Sequence, residues 1–134
     1  MHTQILLSRA QAGPKSELER LNAEVVAFFS SPKESERRKC CGGERLVEAI
    51  KEHQKAWGLA VQAECEIAGA LTGAGSPWQT VEAQKCEAAQ VAQRIAATKE
   101  ALDCLSMAPQ EDPSWEQEKC MRPIIPNAPP RFED

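Results

Sequence analysis

Apolar residues recur at steps of three and four along most of the chain, and no stretch alternates in the two-residue period of a strand. The pattern predicts an all-α fold. Ser16-Glu17-Leu18-Glu19 has the form of a capping box, in which the serine hydroxyl accepts from the backbone at Glu19 and the Glu19 carboxylate reaches back. Leu18, Leu21, Val25, Phe28 and Phe29 follow at helical spacing, so a first helix is expected over 16–30. Ser31-Pro32 repeats the start signal, with proline at the first helical position, and opens a second helix over 32–41. Gly42-Gly43 breaks it. A long helix then runs over 44–71 with Val47, Ile50, Gln54, Trp57, Val61, Cys65 and Ala68 on its inner stripe.

Thr72 to Ser76 contains two glycines and makes a turn. A fourth helix starts at Ser76-Pro77 and runs over 77–105, with Val81, Ala88, Val91, Ala92, Ile95, Leu102 and Leu105 facing inward. The two long helices are joined so closely that they must form an antiparallel hairpin. Residues 1–15 lack periodicity, end in Gly13-Pro14, and are expected to be a flexible lead. Six of the nine prolines fall in 109–134, which predicts an extended tail over 108–134, with room for one helical turn at 113–121. The expected organisation is lead, helical domain 16–107 and tail.

Six cysteines change this picture, because an even number permits three disulfides in fifteen connectivities. No C-x-x-C occurs, and neither His2 nor His53 stands at ligand spacing from a cysteine, so no zinc site is expected. Cys65 lies six residues before Leu71 and Cys86 nine after Pro77. The offset of three residues is about 4.5 Å of helix rise. That predicts a Cys65–Cys86 bridge. Cys104, Cys40 and Cys41 fall at similar heights at the open end of the hairpin. Cys104 is expected to bond one of the adjacent pair, and Cys120 the other, pinning the tail. A bridge between the neighbours Cys40 and Cys41 is rare and is not expected.

Disulfides imply a periplasmic or extracellular setting. The first residues hold only three consecutive apolar side chains, well short of the ~7–15 of a secretory core. Either the chain is a mature form with its signal peptide removed or it is intracellular with reduced cysteines, and the placement of the cysteines favours the first. No apolar run approaches the ~18 residues of a membrane span. A net charge of −4 argues against a nucleic-acid partner and against an anionic membrane surface. No phosphate loop, dinucleotide fingerprint or Ser-His-Asp set is present, so neither a cofactor nor enzymatic activity is expected.

Gln54, Trp57 and Cys65, in the arrangement Q-x-x-W-x7-C, resemble the central signature of the lysozyme inhibitor LprI N-terminal domain family. The resemblance continues through the glycine-containing turn to Cys86, Arg94 and Leu102, and covers about 46–105. Ala60, Val61 and Gln62 stand where that family carries an aromatic residue and Arg-Asp, and Leu21-Asn22 is the one echo of its upstream pattern. The resemblance implies a small, secreted, disulfide-bonded helical domain and, for some members, inhibition of lysozyme.

Trp57 is expected to fill the gap between alanine-rich helices, and Gln54 to satisfy a backbone group near the tail. His53 with Glu48 and Glu52 is expected on a solvated face, as are the mixed charges Glu34, Glu36, Arg37, Arg38 and Lys39, and Glu17, Glu19 and Arg20. The exposed turn bearing Gly75, Ser76 and Trp78 is the candidate contact for a protein partner, with the tail's Trp115, Ile124, Ile125 and Phe132 as the alternative. The expected function is binding of a cell-wall hydrolase such as lysozyme, as an inhibitor or immunity protein. The alternative is a structural or adaptor protein of an envelope or secretion complex, acting through helix–helix contacts.

Overall fold

The computed structural model describes residues 2–107 and 113–126. They form five helices and their connecting turns: α1 (His2–Ser30), α2 (Pro32–Arg37), α3 (Gly43–Leu71), α4 (Trp78–Met107) and α5 (Pro113–Met121), with no strand among the described residues. The antiparallel α3–α4 hairpin is the frame, and α1 lies along it, mainly against α4.

α1 starts at His2 rather than near residue 16, so the expected lead is helical over most of its length. Pro14 lies inside it and removes one backbone donor. The helix continues before that point because alanine and glutamine at positions 10–12 are good helix formers. Beyond Pro14, Leu18, Leu21, Val25 and Phe29 bury one face. α2 is capped as its sequence requires: the Ser31 hydroxyl accepts from the Glu34 amide at 3.3 Å, and Pro32 follows. It ends at Arg37, four residues before the expected limit. The Cys41 and Gly43 amides then donate to the Arg38 carbonyl at 2.9 and 3.3 Å, and Gly42 takes a left-handed φ of 85° that an L side chain rarely adopts.

One covalent bond joins the two arms of the hairpin, and another ties α5 to α4. Near its turn, Cys65 and Cys86 form the expected bridge, with Cα atoms 5.4 Å apart. At the open end, Cys104 bonds Cys120, not Cys40 or Cys41. The remaining pair, Cys40–Cys41, is bonded within itself, contrary to expectation. The physical reason is α5. It folds back over the open end and sets Cys120 against α4, while the α2–α3 turn holds both members of the adjacent pair at the surface. The two long-range bridges close loops of 21 and 16 residues and each contributes about 3 kcal/mol through the unfolded chain.

The main core lies at this open end. Val25 and Phe29 of α1, Ile50 of α3, Ala101 and Leu105 of α4, Cys120 and Met121 of α5, and Ile124 just beyond it pack together. Residues 113–126 are thus a helix and a turn packed on the body, and not an extended strand of tail; 108–112 and 127–134 lie outside the described residues, as does the Trp115 side chain. On α3 the stripe departs from expectation at one end: Ala68 is exposed and Gly69 is buried. A Cβ at Gly69 would run into the backbone carbonyl of Gln79, so glycine allows the helices to close here. On α4, Ala92 faces solvent, and Arg94, Thr98 and Ala101 are buried in its place.

Candidate functional site

Two polar clusters tie the helices together. In the first, Arg94 points from α4 toward α3 and the segment after α5. One guanidinium nitrogen donates to the Ile124 carbonyl at 3.1 Å, and the other lies 3.3 Å from His53 Nδ1. The guanidinium carbon sits 5.1 Å from the centre of the Trp57 ring, in cation–π contact. Arginine can only donate, so His53 Nδ1 accepts and its ring proton is on Nε2. Burial, and then the Arg94 charge, lower the His53 pKa from its ordinary value. Burial also lowers that of Arg94. One turn on, the Thr98 hydroxyl donates to the Arg94 carbonyl at 2.7 Å, which satisfies a side chain with no exposed surface. His53 is therefore half-buried and engaged, not on a solvated face. Gln54 does reach a backbone group, but it is the Asn22 carbonyl of α1, at 3.0 Å, and not the tail.

The second cluster joins α2 to α5. Glu34, expected at the surface, is buried. Its carboxylate accepts from Arg37 at 2.7 Å and from the Gln117 amide at 2.9 Å. Arg38 donates to the Gln117 carbonyl oxygen and lies within ion-pair distance of Glu34 at 3.7 Å. Its guanidinium also stands over the Phe29 ring. The charge run folds inward because α2 is one short helix whose inner face meets α5. The other predicted surface charges are at the surface: Arg20 pairs with Glu24 at 2.8 Å and Glu17 with Lys99 at 2.9 Å. Among the described residues no group of His, Cys, Asp and Glu could hold a metal ion.

These clusters are spent on tertiary bonds. The exposed large apolar side chains among the described residues, Leu59, Ile67, Leu71, Trp78 and Met107, lie on the hairpin. Gly75, Ser76 and Trp78 lie in the turn at its narrow end, all exposed. The turn is ordered by its own bonds: the Thr72 hydroxyl donates to the Gly69 carbonyl and accepts from the Ala74 amide, and the Trp78 amide donates to the Gly75 carbonyl. Trp78 leaves 58% of its surface in solvent, Leu71 80% and Ile67 59%. The Cys65–Cys86 bridge lies just behind them. Along the outer face of α3, Ala56, Leu59, Ala60, Ala63, Ile67, Ala70 and Leu71 share one exposed apolar stripe. Between α1 and the hairpin, Leu18, Asn22, Trp57, Leu59 and Val91 line an open groove of about 560 Å³.

Sequence spacing did not single out Leu71 and Ile67. Their signal was an apolar residue off the inner stripe, four positions from another.

No protein-family model, curated protein or solved structure matches the chain. The fold itself defines the class: an all-α protein built on a helical hairpin and stapled by disulfides. Among the described residues no helix is long and apolar enough to cross a membrane.

Proposed function

We propose that this chain is a secreted or periplasmic binding protein, without catalytic activity, that docks the tip of its hairpin on a cell-wall hydrolase of the lysozyme kind. It acts there as an inhibitor or immunity protein. The observation that carries this reading is the exposure of Leu71, at the end of α3, and Trp78, at the start of α4, on either side of an ordered turn near the Cys65–Cys86 bridge. Tryptophan is enriched among the residues that carry protein-binding energy, and Trp78 offers a large exposed ring. Ser76 and the Gly75 backbone add polar groups able to meet the carboxylates of a hydrolase cleft. The net charge of −4 would steer the chain toward a basic enzyme. The resemblance through Gln54, Trp57, Cys65 and Arg94 to the lysozyme inhibitor LprI N-terminal domain family supports the same partner class.

The test is inhibition of a lysozyme acting on peptidoglycan. The wild-type chain should inhibit, and Trp78→Ala should weaken inhibition about tenfold or more with the fold intact. A chain that neither binds nor inhibits lysozymes would end this reading.

A second reading rests on the stripe from Ala56 to Leu71. Small residues at helical spacing let another helix approach closely, as in an adaptor of an envelope or secretion complex. Ala63→Glu would abolish that association and leave tip docking unchanged.

A further inference from the structure

The turn between α2 and α3 carries a feature that tip docking does not use. Cys40 and Cys41 are bonded to each other, and both are exposed. The other two bridges are less accessible: in each, one sulfur-bearing residue is buried (Cys65, with no exposed surface, and Cys120, with 2%) and its partner, Cys86 or Cys104, is only partly exposed. A thiolate must reach a disulfide sulfur to exchange with it, so access ranks Cys40–Cys41 first. Opening this bridge also costs the fold little stability, because a bond between neighbours hardly constrains the unfolded chain, whereas the others close loops of 21 and 16 residues. The turn is also held by backbone bonds to the Arg38 carbonyl, and Arg38 by Glu34 and Gln117, contacts that do not run through the sulfurs.

Lys39 and Arg45, both exposed, flank the pair in sequence, as do the exposed Glu36 and Glu44, while Arg37 and Arg38 are held by Glu34 and Gln117. Cys41 also abuts Gly42, the N-cap of the 29-residue α3, whose positive end stabilises an anion.

We propose that Cys40–Cys41 is a thiol–disulfide exchange site that accepts electrons from a reduced dithiol. One thiolate of the dithiol attacks Cys40 Sγ. The Cys40–Cys41 bond breaks, and its electron pair leaves on Cys41 Sγ, at the helix end. The second thiolate then attacks the mixed bridge and the dithiol departs as a closed disulfide. Cys40 and Cys41 finish as thiols, having gained two electrons and two protons from the dithiol. The hairpin and the other two bridges are unchanged.

The test titrates the native oxidised protein with dithiothreitol, quenches with iodoacetamide and maps the labelled peptides. The expected result is two labels on the Cys40-Cys41 peptide at a reductant concentration about tenfold below that which opens either of the other bridges, with an unchanged helical circular dichroism spectrum. Lys39→Ala with Arg45→Ala, two exposed positions, should slow the exchange about threefold. The proposal is overturned if the three bridges open together, if Cys40–Cys41 opens last, if its peptide is labelled with no reductant, or if the charge variant exchanges at the wild-type rate.

Discussion

The Arg94 guanidinium lies 5.1 Å from the centre of the Trp57 ring while one of its nitrogens donates to the Ile124 carbonyl. A single side chain of α4 thus joins α3 to the segment beyond α5. Arg94→Ala leaves a buried carbonyl without a donor and removes the cation from the ring. It should cost about 2–4 kcal/mol in urea unfolding. Arg94→Lys keeps the charge but loses the fork that reaches Ile124 and His53 together, and should fall between. An Arg94→Ala protein as stable as wild type would show that the contact contributes nothing.

His53 gives the same cluster a pH signature. Its pKa is lowered in the folded state, so the unfolded chain binds more protons below the ordinary histidine value of about 6.5. Its contribution to stability is complete above that value and is lost as pH falls below it. Protonation at Nδ1 would also place a donor against the Arg94 guanidinium. Melting temperature should therefore fall between pH 7 and pH 5, and His53→Gln should flatten that fall. An equal slope in the variant would assign the dependence elsewhere.

Glu34 should behave as a buried ion-pair partner. Removing its carboxylate takes an acceptor from Arg37 and from the Gln117 amide, and the neighbouring anion from Arg38. Glu34→Ala should destabilise by about 3 kcal/mol. A double-mutant cycle with Gln117→Ala should show coupling of about 1 kcal/mol, and additive single effects would deny the link between α2 and α5.

Two glycines of α3 give opposite expectations. Gly69→Ala forces a methyl against the Gln79 backbone at the narrow end of the hairpin and should cost about 1–3 kcal/mol. Gly58 has open space where a Cβ would go, so Gly58→Ala should stabilise by about 0.5–1 kcal/mol. Chemical denaturation of the two variants measures both signs, and a destabilised Gly58→Ala protein would place that face of α3 against a neighbour.

The hairpin was legible because long periodic stripes, a glycine-containing turn and the axial heights of Cys65 and Cys86 all agree. The same height argument failed for Cys104. Equal height along a helix says nothing about which neighbour lies beside it, and the return of α5 across the open end was not written in any periodicity. Alanine was the second source of error. It fits either face of a helix, so Ala68 and Ala92 were placed inward, while Gly69 carried the close approach and Arg94 and Thr98 occupied the α4 stripe. Glu34 was misplaced because a charge run looks solvated until a partner helix brings Gln117 to it. For the candidate site, Gly75, Ser76 and Trp78 were visible as a turn, but the exposure of Leu71 beside them needed the fold.

The most direct test of a hairpin bridged near its turn, with α5 bonded to its open end, is a peptide map of the unreduced protein. The account predicts Cys65 joined to Cys86, Cys104 to Cys120 and Cys40 to Cys41, with no free thiol. Cys104 joined to Cys40 or Cys41 would contradict the docking of α5, and six free thiols would remove both the staples and the secreted setting on which hydrolase binding rests.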